Sequence, residues 1–107
     1  MAFNKKIRHE IAERIRGSAP EAESVLLFGS RARGDAHEDS DVDLVVLVPD
    51  GCDRRALALR ARRSLWGLGL AFDLLVLTQA DWQRLRGSAA WYDRELTREA
   101  QRLDDAA

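Results

Sequence analysis

Three aspartates and one Gly-Ser pair carry the chemistry available to this sequence. Asp41 and Asp43 stand two apart where the apolar run of residues 42–48, VDLVVLV, begins; Asp73 interrupts a second run, AFDLLVL, over residues 71–77. Side chains two apart on a strand share a face, so Asp41 and Asp43 project together and can reach one divalent ion or bridge two. Hard oxygen ligands with few protein contacts suit Mg²⁺, which keeps waters and takes its remaining ligands from substrate phosphates. Asp73 needs a reason of its own, because an unpaired buried carboxylate is costly. Upstream, the run SVLLF closes on Gly29-Ser30, and ten residues then lead to Asp41. A lone D-x-D, a lone Gly-Ser and an aspartate paired with a core arginine are each ordinary structural features. Together, on compatible elements, they point to metal-dependent phosphoryl chemistry.

The elements that must position these residues are legible from periodicity and punctuation. Phe3, Ile7, Ile11 and Ile15 recur every four residues, which predicts an amphipathic first helix stopped by Gly17 and Pro20. SVLLF (24–28), VDLVVLV (42–48) and AFDLLVL (71–77) read as strands, the second closed by Pro49-Asp50-Gly51. Asp53 caps a helix running from about Arg54 to Trp66, ended by Gly67 and Gly69. Thr78 with Asp81 forms a capping box that opens a short helix, and Ser88 is expected to cap a last one in which Tyr92, Leu96 and Leu103 share a face. The resulting order, α-β-β-α-β-α-α, predicts an α/β fold: a small mixed sheet packed by helices. The second and third strands, joined through a helix, should lie parallel with their starts at one edge. The first strand reaches that edge if it runs antiparallel to the second, which the hairpin-like 31–40 connection permits. Gly29, Ser30, Asp41, Asp43 and Asp73 would then converge.

The 107 residues are 46% hydrophobic and 33% charged with net charge −1, which describes one ordinary globular domain. That balance argues against bulk electrostatic binding of nucleic acid. The longest apolar run, Leu44 to Val48, is far too short to span a membrane. The start, MAFNKKIRHE, lacks the apolar stretch of a signal peptide, and the lone Cys52 has no disulfide partner; both suit a cytoplasmic setting. Cys52 reads as a turn residue, His9 as a surface residue, and His37, Glu38 and Asp39 as a loop tip without chemistry.

Gly29-Ser30, ten residues, then Asp41-Val42-Asp43 resembles the G-S-x10-D-x-D signature of the polymerase-beta-like nucleotidyltransferases. GSRARG and SDVDLVV resemble its minimal nucleotidyltransferase (MNT) branch, and Asp73 stands where that family carries its third carboxylate. The resemblance covers about Ser24 to Thr78, the expected catalytic core of a single domain spanning 1–107. It implies a nucleotidyltransferase that binds ATP with its phosphates on Gly29 and Ser30, Arg33 steadying the loop or the phosphates. It also implies that Asp41, Asp43 and Asp73 hold Mg²⁺, two ions in all, and carry catalysis. Arginines 31 and 33 read equally well as exposed loop residues.

Larger proteins of this fold carry an extra domain for the acceptor, whereas this chain ends about thirty residues past its third strand. The acceptor is therefore expected on a partner. The resemblance implies the pairing typical of stand-alone MNT proteins, with a HEPN-domain ribonuclease toxin that the MNT protein modifies by moving AMP from ATP to a tyrosine, acting as antitoxin. Such a pairing implies a hetero-oligomer. A non-catalytic antitoxin that neutralises its partner by complex formation is the alternative class; transfer to a small molecule or RNA is a third. At 100° per residue, Leu57, Ala61, Leu65 and Leu68 form one face of the middle helix, while Leu59 and Trp66 fall opposite among Arg55, Arg62 and Arg63. That second face is either an interface with a polar rim or is covered by the C-terminal helices. Its arginines read as a solvated face rather than a nucleic-acid contact.

Overall fold

The computed structural model describes residues 3–103. Asn4 accepts a hydrogen bond from the Ile7 N–H and starts helix α1 (Lys5–Ser18), whose Ile7, Ile11 and Ile15 are buried. Strand β1 (Ser24–Phe28) leads into a single helical turn, α2 (Gly29–Arg33), then a loop and strand β2 (Val42–Val48). Helix α3 (Arg54–Ser64) is capped by Asp53, whose carboxylate accepts from the Ala56 N–H. Strand β3 (Phe72–Thr78), helix α4 (Gln79–Arg86), helix α5 (Trp91–Glu99) and a two-residue strand β4 (Gln101–Arg102) complete the chain. Among the described residues no helix is long and apolar enough to cross a membrane.

The sheet runs β3-β2-β1-β4. β1 lies antiparallel to β2, and β2 parallel to β3, as the strand-helix-strand connection requires. One face is closed by α1 and α3: Val42, Leu44, Val46, Val48, Leu74 and Val76 pack against the isoleucines of α1 and Leu57 and Ala61 of α3. The β-branched runs suit this position because they pack well on a pleated surface. The other face is covered at one end only. There Leu26, Phe28, Val45 and Leu47 meet Trp82 of α4, with Leu85 and Leu96 at the margin. Phe28 and Trp82 stack edge to face at 5.8 Å between ring centroids. The uncovered end leaves Leu75 of β3 53% exposed.

Several boundaries differ from expectation. The 31–40 connection begins with a helical turn, stopped by Gly34 at φ 86°. α3 ends at Ser64 rather than Trp66, and Arg14 of α1 donates to the carbonyls of Ser64 and Trp66 that the helix end leaves free. The capping box forms as expected, with Thr78 and Asp81 exchanging hydrogen bonds. Ser88 does not cap α5: its hydroxyl accepts from the Ala90 N–H, and Ala90 holds the cap position. Nor do Tyr92 and Leu103 share a helical face, because α5 stops at Glu99 and β4 carries Leu103 into the core beneath β1. Leu103 is 1% exposed while Tyr92 is exposed. Leu59 and Trp66 are exposed, so the C-terminal helices do not cover that side of α3; they lie over the opposite sheet face.

Candidate active site

Asp43 is the hub of the site because two strand registers meet on it. It pairs with Phe28 across β1 and with Asp73 across β3. Residues paired in register share a face, so Asp43 and Asp73 emerge side by side on the partly covered face. Asp41, two residues earlier, lies just before the strand at the same edge. Gly29, Asp43 and Asp73 line one cleft, because β1 delivers Gly29 beside Asp43; Ser30 and Asp41 are not among the residues that line it.

Gly29 is there for two reasons. Its φ is +69°, a region L side chains rarely adopt, and a Cβ built on it would fall onto Asp43 Oδ2. Glycine thus lets the turn backbone close onto the carboxylate. The rest of α2 is held through its two arginines. Arg31 donates to the carbonyls of Ser40 (2.9 Å) and Glu38 (3.4 Å) and lies over the Phe3 ring, which ties the loop back to the turn. Arg33, half-exposed, bridges Asp35 and Glu99 at 3.3 Å each. The hydroxyl of Ser30 makes no hydrogen bond among the described residues, and its carbonyl accepts from the N–H groups of Gly34 and Asp35.

None of the three aspartates accepts a hydrogen bond or ion pair among the described residues. Asp43 is half-buried, and its pKa is pushed up first by burial and then by the neighbouring carboxylates of Asp73 and Asp41, with Arg33 pulling the other way. Asp73 is exposed rather than buried in the core, because no helix covers that end of the face. The unpaired-carboxylate cost expected for it is accordingly small. Glu99, from the end of α5, adds a third carboxylate to the cleft of about 320 Å³ that Gly29, Asp43, Asp73 and Leu75 line. No spacing rule points to Glu99 from the sequence; only the return of the chain through β4 brings it there.

Whether such a site suits a divalent ion can be judged from its donors. Among the described residues no group of three or more His, Cys, Asp or Glu side chains is gathered closely enough to hold a metal by itself. Two register-paired aspartates with a third at the rim instead form a partial shell of hard oxygens, the kind Mg²⁺ completes with water and phosphate. Burial first and the neighbouring carboxylates second disfavour the ionised form of Asp43, and a bound cation would offset that repulsion. The residues fit the ion in that sense.

Among known proteins, the chain is 32% identical over 72 residues to the protein adenylyltransferase MntA of Shewanella oneidensis, an alignment that covers 67% of this chain. It spans about half (52%) of that relative's length. A solved toxin–antitoxin structure with AMP-PNP superposes with a TM-score of 0.61 at 25% identity, over 90% of this chain and 71% of that one. A solved structure assigned as a minimal nucleotidyltransferase superposes with a TM-score of 0.54 at 30% identity, over 91% and 89%. These likenesses agree with the mixed sheet and its helices. Residues 5–102 match the nucleotidyltransferase domain, a span that takes in the Gly-Ser turn, all three aspartates and the return strand, and the chain belongs to that family.

Proposed function

We propose that this chain is a Mg²⁺-dependent adenylyltransferase that moves AMP from ATP to a hydroxyl, a tyrosine, on a partner HEPN-domain ribonuclease, and so acts as an antitoxin. The observation that carries the reading is the register of Asp43 against both Phe28 and Asp73, which sets the Gly-Ser turn beside two unpartnered carboxylates. The relative named a protein adenylyltransferase and the toxin–antitoxin structure holding AMP-PNP support the substrate and the role.

In this reading Gly29 and Ser30 receive the phosphates, the glycine by close backbone approach and the serine through its free hydroxyl. Arg33 adds charge at the same turn. Asp41, Asp43 and Asp73 would hold two Mg²⁺ ions, which would supply charge neutralisation to the triphosphate and favour the ionised acceptor. Asp73, exposed on the edge strand, meets the acceptor hydroxyl as it enters. The acceptor oxygen bonds to the α-phosphorus in line, the α–β bridging bond breaks, and pyrophosphate leaves while the hydroxyl proton passes to the carboxylate edge. Incubating the chain with α-labelled ATP, Mg²⁺ and a HEPN-domain partner should label the partner. Label that survives Asp41→Asn/Asp43→Asn unchanged overturns the assignment.

The exposed Leu59 and Trp66 favour a second reading, in which complex formation alone neutralises the partner. Full neutralisation in cells by the same double variant would select it.

A further inference from the structure

Glu99 sits against Gly29 and Arg33, two of the residues to which the proposed function gives the phosphates. The N–H of Gly29 donates to Glu99 Oε1 at 3.2 Å. Arg33 Nη1 reaches both carboxylate oxygens, at 3.4 and 3.3 Å. A backbone N–H and a guanidinium converging on two oxygens are the donors that hold a phosphate as readily as a carboxylate. The same cleft is lined by Asp43 and Asp73, so Glu99 lies in it as one more like charge.

The anchoring of the chain around Glu99 does not depend on this contact. Gln101 donates to the carbonyl of Ala32 at 2.8 Å, the Leu103 N–H donates to the Val25 carbonyl at 2.8 Å, and the Leu103 side chain is buried in the core. β4 therefore stays docked if Glu99 turns away, and the side chain, 24% exposed, has solvent on one side to turn into.

We infer that Glu99 is an internal occupant of the phosphate position, bound by Gly29 and Arg33 while nucleotide is absent and displaced when the triphosphate arrives. The inference rests on the nucleotidyltransferase reading of the site. It makes the apparent nucleotide affinity a competition: the fraction of molecules with Glu99 swung out scales the intrinsic affinity directly. It also leaves Arg33 with a partner in both states, Glu99 in the free protein and phosphate in the complex. A cation that screens the cleft's carboxylates favours the exchange, so nucleotide and Mg²⁺ should enter together.

Titration calorimetry of the full chain with ATP and Mg²⁺ tests this, comparing wild type, Glu99→Gln and Glu99→Ala. Thermal melts of the same samples establish that each is folded. Glu99→Ala should bind ATP about three- to ten-fold more tightly than wild type, and Glu99→Gln, which loses the charge but keeps the bulk, should fall between. If Glu99→Ala does not fold, Glu99→Gln alone decides by the same direction. Unchanged or weaker binding by a folded variant, with wild type still binding, overturns the displacement and makes Glu99 a residue that builds the site. Absence of ATP binding by all three proteins overturns the nucleotidyltransferase reading itself, and the inference with it.

Discussion

At Gly29 two demands coincide, a positive φ and the approach of the Asp43 carboxylate to where a side chain would stand. Gly29→Ala should therefore cost about 1–3 kcal/mol of folding stability and remove partner labelling, both measurable on one preparation by urea unfolding and α-labelled ATP. Asp43 makes the complementary case. Its pKa is raised in the fold, so folding works against its ionised form. A carboxyl of this kind opposes stability above its folded pKa and ceases to do so as pH falls through it. Asp43→Asn should then resist urea better than wild type at neutral pH, an advantage that disappears in acid, while transfer falls by about 10²-fold or more. A variant that is both less stable and less active would indicate a structural carboxylate.

Among the elements, α4 supports the site at one remove. Its Trp82 packs on Phe28, the residue that hands the chain to Gly29, and its start is secured by the Thr78–Asp81 capping box. Thr78→Ala removes one reciprocal bond and should cost about 1 kcal/mol. Asp81 is held below the usual aspartate range by the Thr78 backbone N–H first, with the Thr78 hydroxyl side chain, Arg84 and Arg54 assisting. A lowered carboxyl pKa stabilises the fold above the unfolded value and loses that contribution as pH falls through the folded one. The gap in urea midpoint between wild type and Asp81→Asn should accordingly close as pH drops below the ordinary aspartate range. A gap independent of pH would mean that the carboxylate's charge is irrelevant to the cap.

For the molecule as a whole, the two sheet faces divide the labour. α1 and α3 close one face into the main core; the other is left partly open, and the cleft occupies the opening. On the far side of α3, Leu59 and Trp66 stand exposed on the face that the helical spacing gives to Arg55, Arg62 and Arg63. The apolar pair is suited to a protein surface, where a tryptophan with a charged rim is the usual energetic centre. Trp66→Ala should leave stability within about 0.5 kcal/mol yet weaken association with a HEPN-domain partner by about 2 kcal/mol or more. Calorimetry on the pair, beside urea unfolding of the free chain, separates the two effects; an unchanged affinity removes Trp66 from the interface.

Local physics is what the sequence expressed by itself. Short apolar runs bounded by turn residues located β1, β2 and β3 to within a residue, and Asp53 and Thr78 located two helix starts, because strand pleat and cap geometry are set within a few residues. The D-x-D spacing placed Asp43 within β2 and Asp41 just before it. Only tertiary structure decided that Asp43 and Asp73 are register partners, since the depth to which α3 packs sets how far β3 slides along β2. It also decided that Asp73 is exposed, which depends on where α4 and α5 leave the face uncovered. β4 is two residues long and has no periodicity to read, so the burial of Leu103 and the arrival of Glu99 at Gly29 were invisible along the chain. Sixty-nine residues separate Gln101 from the carbonyl it holds on Ala32, and contacts at that range leave no mark in local sequence.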